Sequence, residues 1–219
     1  MEYDRFASSL RADYAGFAAN LVARYLAAAA AGRGIEAVSG FRVQGLADIS
    51  ALLGRAIART NDYLAPLGAA TITDAREKPF LNQLRQIALK NLNDLIVKLM
   101  GGAGRMADVF NRPAGAVGLL LQKKLEAPPR LLVRDRAGRA WQAETFVASL
   151  ARDFAYQSYL DSVIERLDAA GVDMVQVVYP DPTHEHHGMP LRLDEVGLIR
   201  KTIFHPNSNA TLVPYVQAE

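Results

Sequence analysis

Apolar residues recur at intervals of three and four through most of the first 125 positions. That spacing restricts the fold more than any other feature of the chain, because a 3.6-residue period lines such residues along one face of an α-helix. Phe6, Leu10, Tyr14, Phe17, Leu21 and Tyr25 mark a first helix over 4–31, ended by Gly32-Arg33-Gly34. Leu46, Ile49, Leu53, Ile57 and Leu64 mark a second over 45–64, ended by Pro66 and Gly68. A third starts with Pro79 in its first turn, where a proline removes no helical hydrogen bond. It carries Leu81, Leu84, Ala88, Leu92, Leu95 and Leu99, and is expected to stop at Gly101-Gly102-Ala103-Gly104. A shorter helix over 114–125 runs into Pro128-Pro129.

The double proline is the expected domain boundary, with a helical region over 1–127 and a small α+β module over 128–219. Beyond it the pattern changes. Leu131-Leu132-Val133 and Ala140-Trp141-Gln142 flank Asp135-Arg136-Ala137-Gly138, in which the glycine suits a tight hairpin turn. A long helix follows over 144–170, with an expected buried stripe of Phe146, Leu150, Phe154, Leu160, Ile164 and Leu167, and Gly171 as its cap. Residues 172–179 read as a strand with Val175, Val177 and Tyr179 on one side. A loop over 180–190, strand or turn pieces over 191–204 and a last strand over 211–216 complete the module. The fold class is therefore α+β: a mostly helical N-terminal region, then a hairpin, a long helix and short strands.

With 219 residues, half of them apolar, the chain has enough material for a core without cross-links. It has no cysteine, which excludes disulfides, thiol nucleophiles and cysteine-ligated zinc. Net charge is +2 and the pI about 8.9, so basicity is modest overall. The acidic start Met1-Glu2-Tyr3-Asp4 has the wrong sign for a secretory leader, and the apolar stretch 21–31 is too short to span a bilayer. No membrane span is expected.

Four motifs in order carry a resemblance. Asp135-Arg136-Ala137-Gly138-Arg139-Ala140-Trp141 follows an Asp-x-x-Gly-Arg-x-Trp hairpin pattern. After the long helix, Gly171-Val172-Asp173-Met174-Val175-Gln176-Val177 enters a strand. A polar, histidine-rich loop comes next, and Phe204-His205-Pro206-Asn207 closes the series ahead of Leu212-Val213-Pro214. In this order, residues 114–216 resemble the C-terminal module of tailed-phage minor capsid (head-morphogenesis) proteins. The resemblance implies a non-enzymatic structural virion protein, made in the host cytoplasm and present in multiple copies in the head. It would act in assembly near the portal, with portal or major capsid protein as partners and packaged DNA as a further contact. Two departures are plain. Ser208-Asn209-Ala210 stands where the family commonly has Cys-Arg-His, and Ala151-Arg152-Asp153 where an Arg-Thr pair is common.

The residues themselves offer other chemistry. All four histidines, His184, His186, His187 and His205, lie in the last third. If 184–186 were extended, His184 and His186 would point the same way and His205 could join them, leaving an open position on a zinc ion. This is the basis of an alternative, a metal-dependent hydrolase or nuclease. The spacing is not the helical His-Glu-x-x-His, and a solvated polar loop is the simpler expectation, with no cofactor. Ser208 lacks a nucleophile-elbow context, and Asn207 and Ser208 suit turn bonds. Gly101-Gly102-Ala103-Gly104-Arg105 lacks the Gly-Lys-Ser/Thr ending of a phosphate loop. Arg130, Arg134, Arg136 and Arg139, with Lys123 and Lys124, are candidates for contact with DNA or a partner, the basis of a third reading as a helical DNA-binding module. Trp141 is expected as a core anchor between hairpin and helix.

Overall fold

Glycine and proline punctuate the chain less strictly than their positions in the sequence suggest. The computed structural model describes residues 2–30, 35–68, 76–110, 129–205 and 207–216. Four long helices dominate it: α1 (Glu2–Ala30), α2 (Ile35–Leu64), α3 (Lys78–Phe110) and α4 (Ala143–Ala169). A short α5 (Val196–Ile203) follows later. Strands β1 (Leu132–Arg134) and β2 (Ala140–Gln142) form an antiparallel hairpin, and β3 (Met174–Val178), β4 (Pro190–Arg192) and β5 (Thr211–Pro214) form an antiparallel sheet in the order β4-β3-β5. The architecture is α+β and mostly helical.

Three expectations need correction. Helix α2 begins ten residues earlier than its apolar stripe suggested, at Ile35. Helix α3 runs through Gly101-Gly102-Ala103-Gly104 to Phe110, so the glycine run neither stops the helix nor makes a phosphate loop. The stretch 191–204, read as strand or turn pieces, holds β4, a 3-10 turn over Leu193–Glu195 and then α5. The helix expected over 114–125 lies outside the described residues.

By packing, the chain forms two compact units, each built from separate stretches.

One unit comprises Ser9–Ala58 and Leu81–Val147. Its core takes Leu10, Tyr14, Phe17 and Leu21 from α1, Phe41, Ile49, Leu52 and Ala56 from α2, and Leu84, Ile87, Ala88, Leu92, Leu95 and Leu99 from α3. The expected α1 and α3 stripes are buried nearly as drawn, although Tyr25 and Leu81 are only half-buried. The α2 stripe is rotated. Leu46 and Ile57 are exposed, and the inward line runs Phe41, Gly45, Ile49, Leu52, Ala56. Gly45 explains the rotation: a Cβ there would stand 2.5 Å from Leu92 Cδ1 and 3.4 Å from Leu21 Cδ1. Its bare backbone lets α2 lie close against leucines of α1 and α3. Inside this core Asn91 Nδ2 donates to the Tyr14 hydroxyl at 2.7 Å, and burial pushes the Tyr14 phenol up.

The other unit comprises Met1–Ser8, Arg59–Phe80 and Ala148–Glu219. Val175 and Val177 of β3 are fully buried and Tyr179 nearly so, as the alternation predicted. β3 pairs with β4 through Val175 opposite Leu191, and with β5 through Val177 opposite Leu212. On α4, Phe154 and Leu160 of the predicted line are buried, whereas Phe146, Leu150, Ile164 and Leu167 are half-buried; Ala151, Ala155, Tyr156, Ser158 and Ser162 complete the buried face. Small residues turn inward because aromatic rings fill the space: Phe6, Tyr63, Phe80 and Phe154 cluster, with Phe80 stacked on Phe154 at 4.5 Å and 16°. Each such pair adds about 0.5–1.5 kcal/mol beyond its area burial.

Candidate functional site

The closing segment, 204–214, makes the densest set of specific contacts. Ser208 is 3% exposed, and its Oγ accepts the Ala210 N–H at 3.1 Å. The Ala210 carbonyl accepts the Tyr156 hydroxyl of α4 at 3.0 Å. Burial, offset in part by the Ser208 hydroxyl, pushes the Tyr156 phenol up to about 12. Asn209 Oδ1 accepts from Arg152 Nη2 at 2.8 Å and from the Tyr3 hydroxyl at 3.1 Å. Arg152 Nε in turn donates to Asp4 at 2.9 Å, and its guanidinium lies over the Tyr3 ring. Three distant stretches, the start of α1, the middle of α4 and the turn before β5, thus meet at Asn209.

A second network sits where α4 meets α5. Asp161 accepts from Arg200 and from Arg76 on separate oxygens. Gln157 Oε1 accepts Arg200 Nε at 2.6 Å, and its Nε2 donates to the Phe204 carbonyl at 2.7 Å. Nearby, burial raises the Asp153 carboxyl, with Arg76 and Arg200 pulling the other way.

The histidine loop is not extended. It coils into successive turns, with His184 N–H on the Asp181 carbonyl at 3.2 Å and His187 N–H on the His184 carbonyl at 2.8 Å. The His184 ring stacks on Tyr179, centroids 3.6 Å apart at 10°. Its Nδ1 accepts the His186 N–H at 3.2 Å. His187 Nδ1 lies 3.2 Å from the Tyr179 nitrogen and 3.1 Å from the Tyr179 oxygen. His205 Nδ1 accepts the Asn207 N–H at 3.2 Å. These imidazoles serve as local backbone partners. Among the described residues, no three of His, Asp and Glu converge as a metal ion requires, so the geometry for a zinc site is lacking there.

Ser208 is buried, its N–H donates to the His205 carbonyl at 2.8 Å and its Oγ accepts the Ala210 N–H, which makes it a turn residue. The His205 ring adds a turn bond of its own, accepting the Asn207 N–H. Trp141 is not the core anchor expected of it. It is 37% exposed, its Nε1 donates to Asp135 Oδ2 at 3.0 Å, and Arg139 lies over its ring. Arg130, Arg134, Arg136 and Arg139 all sit on the exposed hairpin or just before it, while Lys123 and Lys124 lie outside the described residues.

The networks around Asn209 and Asp161 escaped the sequence reading. Their partners lie up to 206 positions apart, and no periodicity or local motif joins Tyr3 to Asn209. No family model, curated protein or solved structure matches the chain. No helix among the described residues is long and apolar enough to cross a membrane.

Proposed function

We propose that this chain is a structural component of a tailed-phage head, a minor capsid or head-morphogenesis protein acting in assembly near the portal. The observation that carries the reading is the use made of the closing segment. The motif order behind the phage resemblance follows the order of the elements along the chain: the β1–β2 hairpin, α4, β3, the turned loop and, after β4 and α5, the closing turn and β5. At the positions where that family commonly has Cys-Arg-His, Ser208, Asn209 and Ala210 bond inward to the chain's own backbone, Tyr3, Arg152 and Tyr156. Such side chains hold a scaffold together and present no reactive group. The partners are portal or major capsid protein, and the place of action is the virion. Co-expression with the portal and major capsid protein of the same phage tests this. The chain is expected to co-sediment with assembled heads or portal rings; a chain that stays at the top of the gradient overturns the reading.

A further inference from the structure

The hairpin carries an excess of charge that the scaffold reading leaves unused. Between positions 130 and 143 four guanidiniums, Arg130, Arg134, Arg136 and Arg139, face a single carboxylate, Asp135. That carboxylate is consumed within the turn. Its Oδ1 accepts the N–H groups of Ala137 and Arg139, each at 2.9 Å. Its Oδ2 accepts Arg139 Nε at 2.7 Å and Trp141 Nε1 at 3.0 Å. The backbone closes the same turn, Gly138 N–H to the Asp135 carbonyl at 2.9 Å and Asp135 N–H to the Arg139 carbonyl at 3.0 Å, with Gly138 at φ 78°. Asp135 therefore neutralises Arg139 and stiffens the ribbon. Arg130, Arg134 and Arg136 remain exposed with no carboxylate partner among the described residues; Arg134 spends one nitrogen on the Gly138 carbonyl at 2.9 Å.

We infer that this hairpin binds the phosphodiester backbone of duplex DNA without regard to sequence. The major groove admits a two-stranded ribbon, and arginine forks match phosphate oxygens. Preorganisation by Asp135 lowers the ordering cost of each contact. The tip, Arg136-Ala137-Gly138, has no large apolar side chain to bury in a lipid headgroup layer, and Trp141 is held by Asp135 and Arg139, which favours nucleic acid over an anionic membrane. The inference stands on the hairpin alone and does not need the head-assembly reading.

Fluorescence anisotropy of the full chain on two unrelated 30-base-pair duplexes, from 50 to 200 mM NaCl, tests it. Three neutralised phosphates give a slope of log K against log salt of about −2.7, a loss of about 40-fold across that range. Both duplexes should give the same value. Arg130→Ala with Arg134→Ala and Arg136→Ala should abolish binding, with Trp141 emission reporting an intact hairpin. If Arg134→Ala loosens the turn, the Arg130→Ala/Arg136→Ala pair, which makes none of the turn's bonds, should flatten the slope by about 1.8. Absent binding at 50 mM, an unchanged slope in the variants, or marked preference for one duplex overturns the proposal. So does arginine-dependent binding to phosphatidylserine vesicles without binding to the duplexes.

Discussion

The Tyr3 hydroxyl donates to Asn209 Oδ1 at 3.1 Å, joining the first turn of α1 to the turn before the last strand. Arg152 shares the same acceptor, so removing Asn209 removes two hydrogen bonds at a solvent-accessible site. Asn209→Ala is expected to cost about 1–2 kcal/mol and Tyr3→Phe about 1 kcal/mol in urea unfolding. A double-mutant cycle should show coupling of at least about 0.5 kcal/mol; simple additivity would mean that the contact contributes nothing.

Trp141 is the only tryptophan and reports directly on Asp135. Hydrogen bonds from Trp141 first, then from Arg139, hold the Asp135 carboxyl down at about 2. A depressed carboxylate contributes stability that is present above its ordinary value and lost as pH falls through the folded value. Tryptophan emission should therefore stay constant from pH 7 to 4 and shift red as pH drops toward 2. Asp135→Asn should show the shifted spectrum already at pH 7.

Two glycines of α2 should respond oppositely to alanine. A Cβ at Gly54 meets nothing within 4 Å, so Gly54→Ala gains about 0.5–1 kcal/mol from reduced freedom of the unfolded chain and better helix propensity. At Gly45 the Cβ runs into buried Leu92, and overpacking of about 1–3 kcal/mol outweighs that gain. Thermal melts of the two variants should move in opposite directions.

Asp153 is raised by burial despite Arg76 and Arg200 nearby. A raised carboxylate stabilises below its unfolded value, and that contribution is lost as pH climbs through the folded value. Asp153→Asn should accordingly raise Tm at pH 7, and the gain should shrink as pH is lowered through the raised range in which the native side chain takes up its proton. A loss of stability at pH 7 would show that the ion pairs outweigh the burial.

The stripes of α1 and α3, the hairpin turn at Gly138 and the alternation of Val175, Val177 and Tyr179 were legible because each is local and periodic. The faces of α2 and α4 were read only in part: Ile49, Phe154 and Leu160 are buried as expected, but small residues share the inward faces, Gly45 against Leu92 and Ala151, Ala155 and Ser158 beside an aromatic cluster. Counting large apolar side chains overlooks a face chosen for close approach. The histidine loop misled in another way. Extended geometry would have aligned His184 with His186, whereas Asp181 starts a series of turns by accepting the Thr183 N–H at 2.9 Å and the Thr183 hydroxyl at 2.7 Å. The Asn209 junction left no trace in the sequence because its members come from both ends of the chain.

For the proposed head-assembly role, imaging the portal vertex of intact particles that contain this chain is the most direct measurement. Density for the long helices and the β4-β3-β5 sheet is expected against the portal or the inner capsid wall, with one helical face covered by the neighbouring protein. A complete, infectious head without the chain would contradict the structural role.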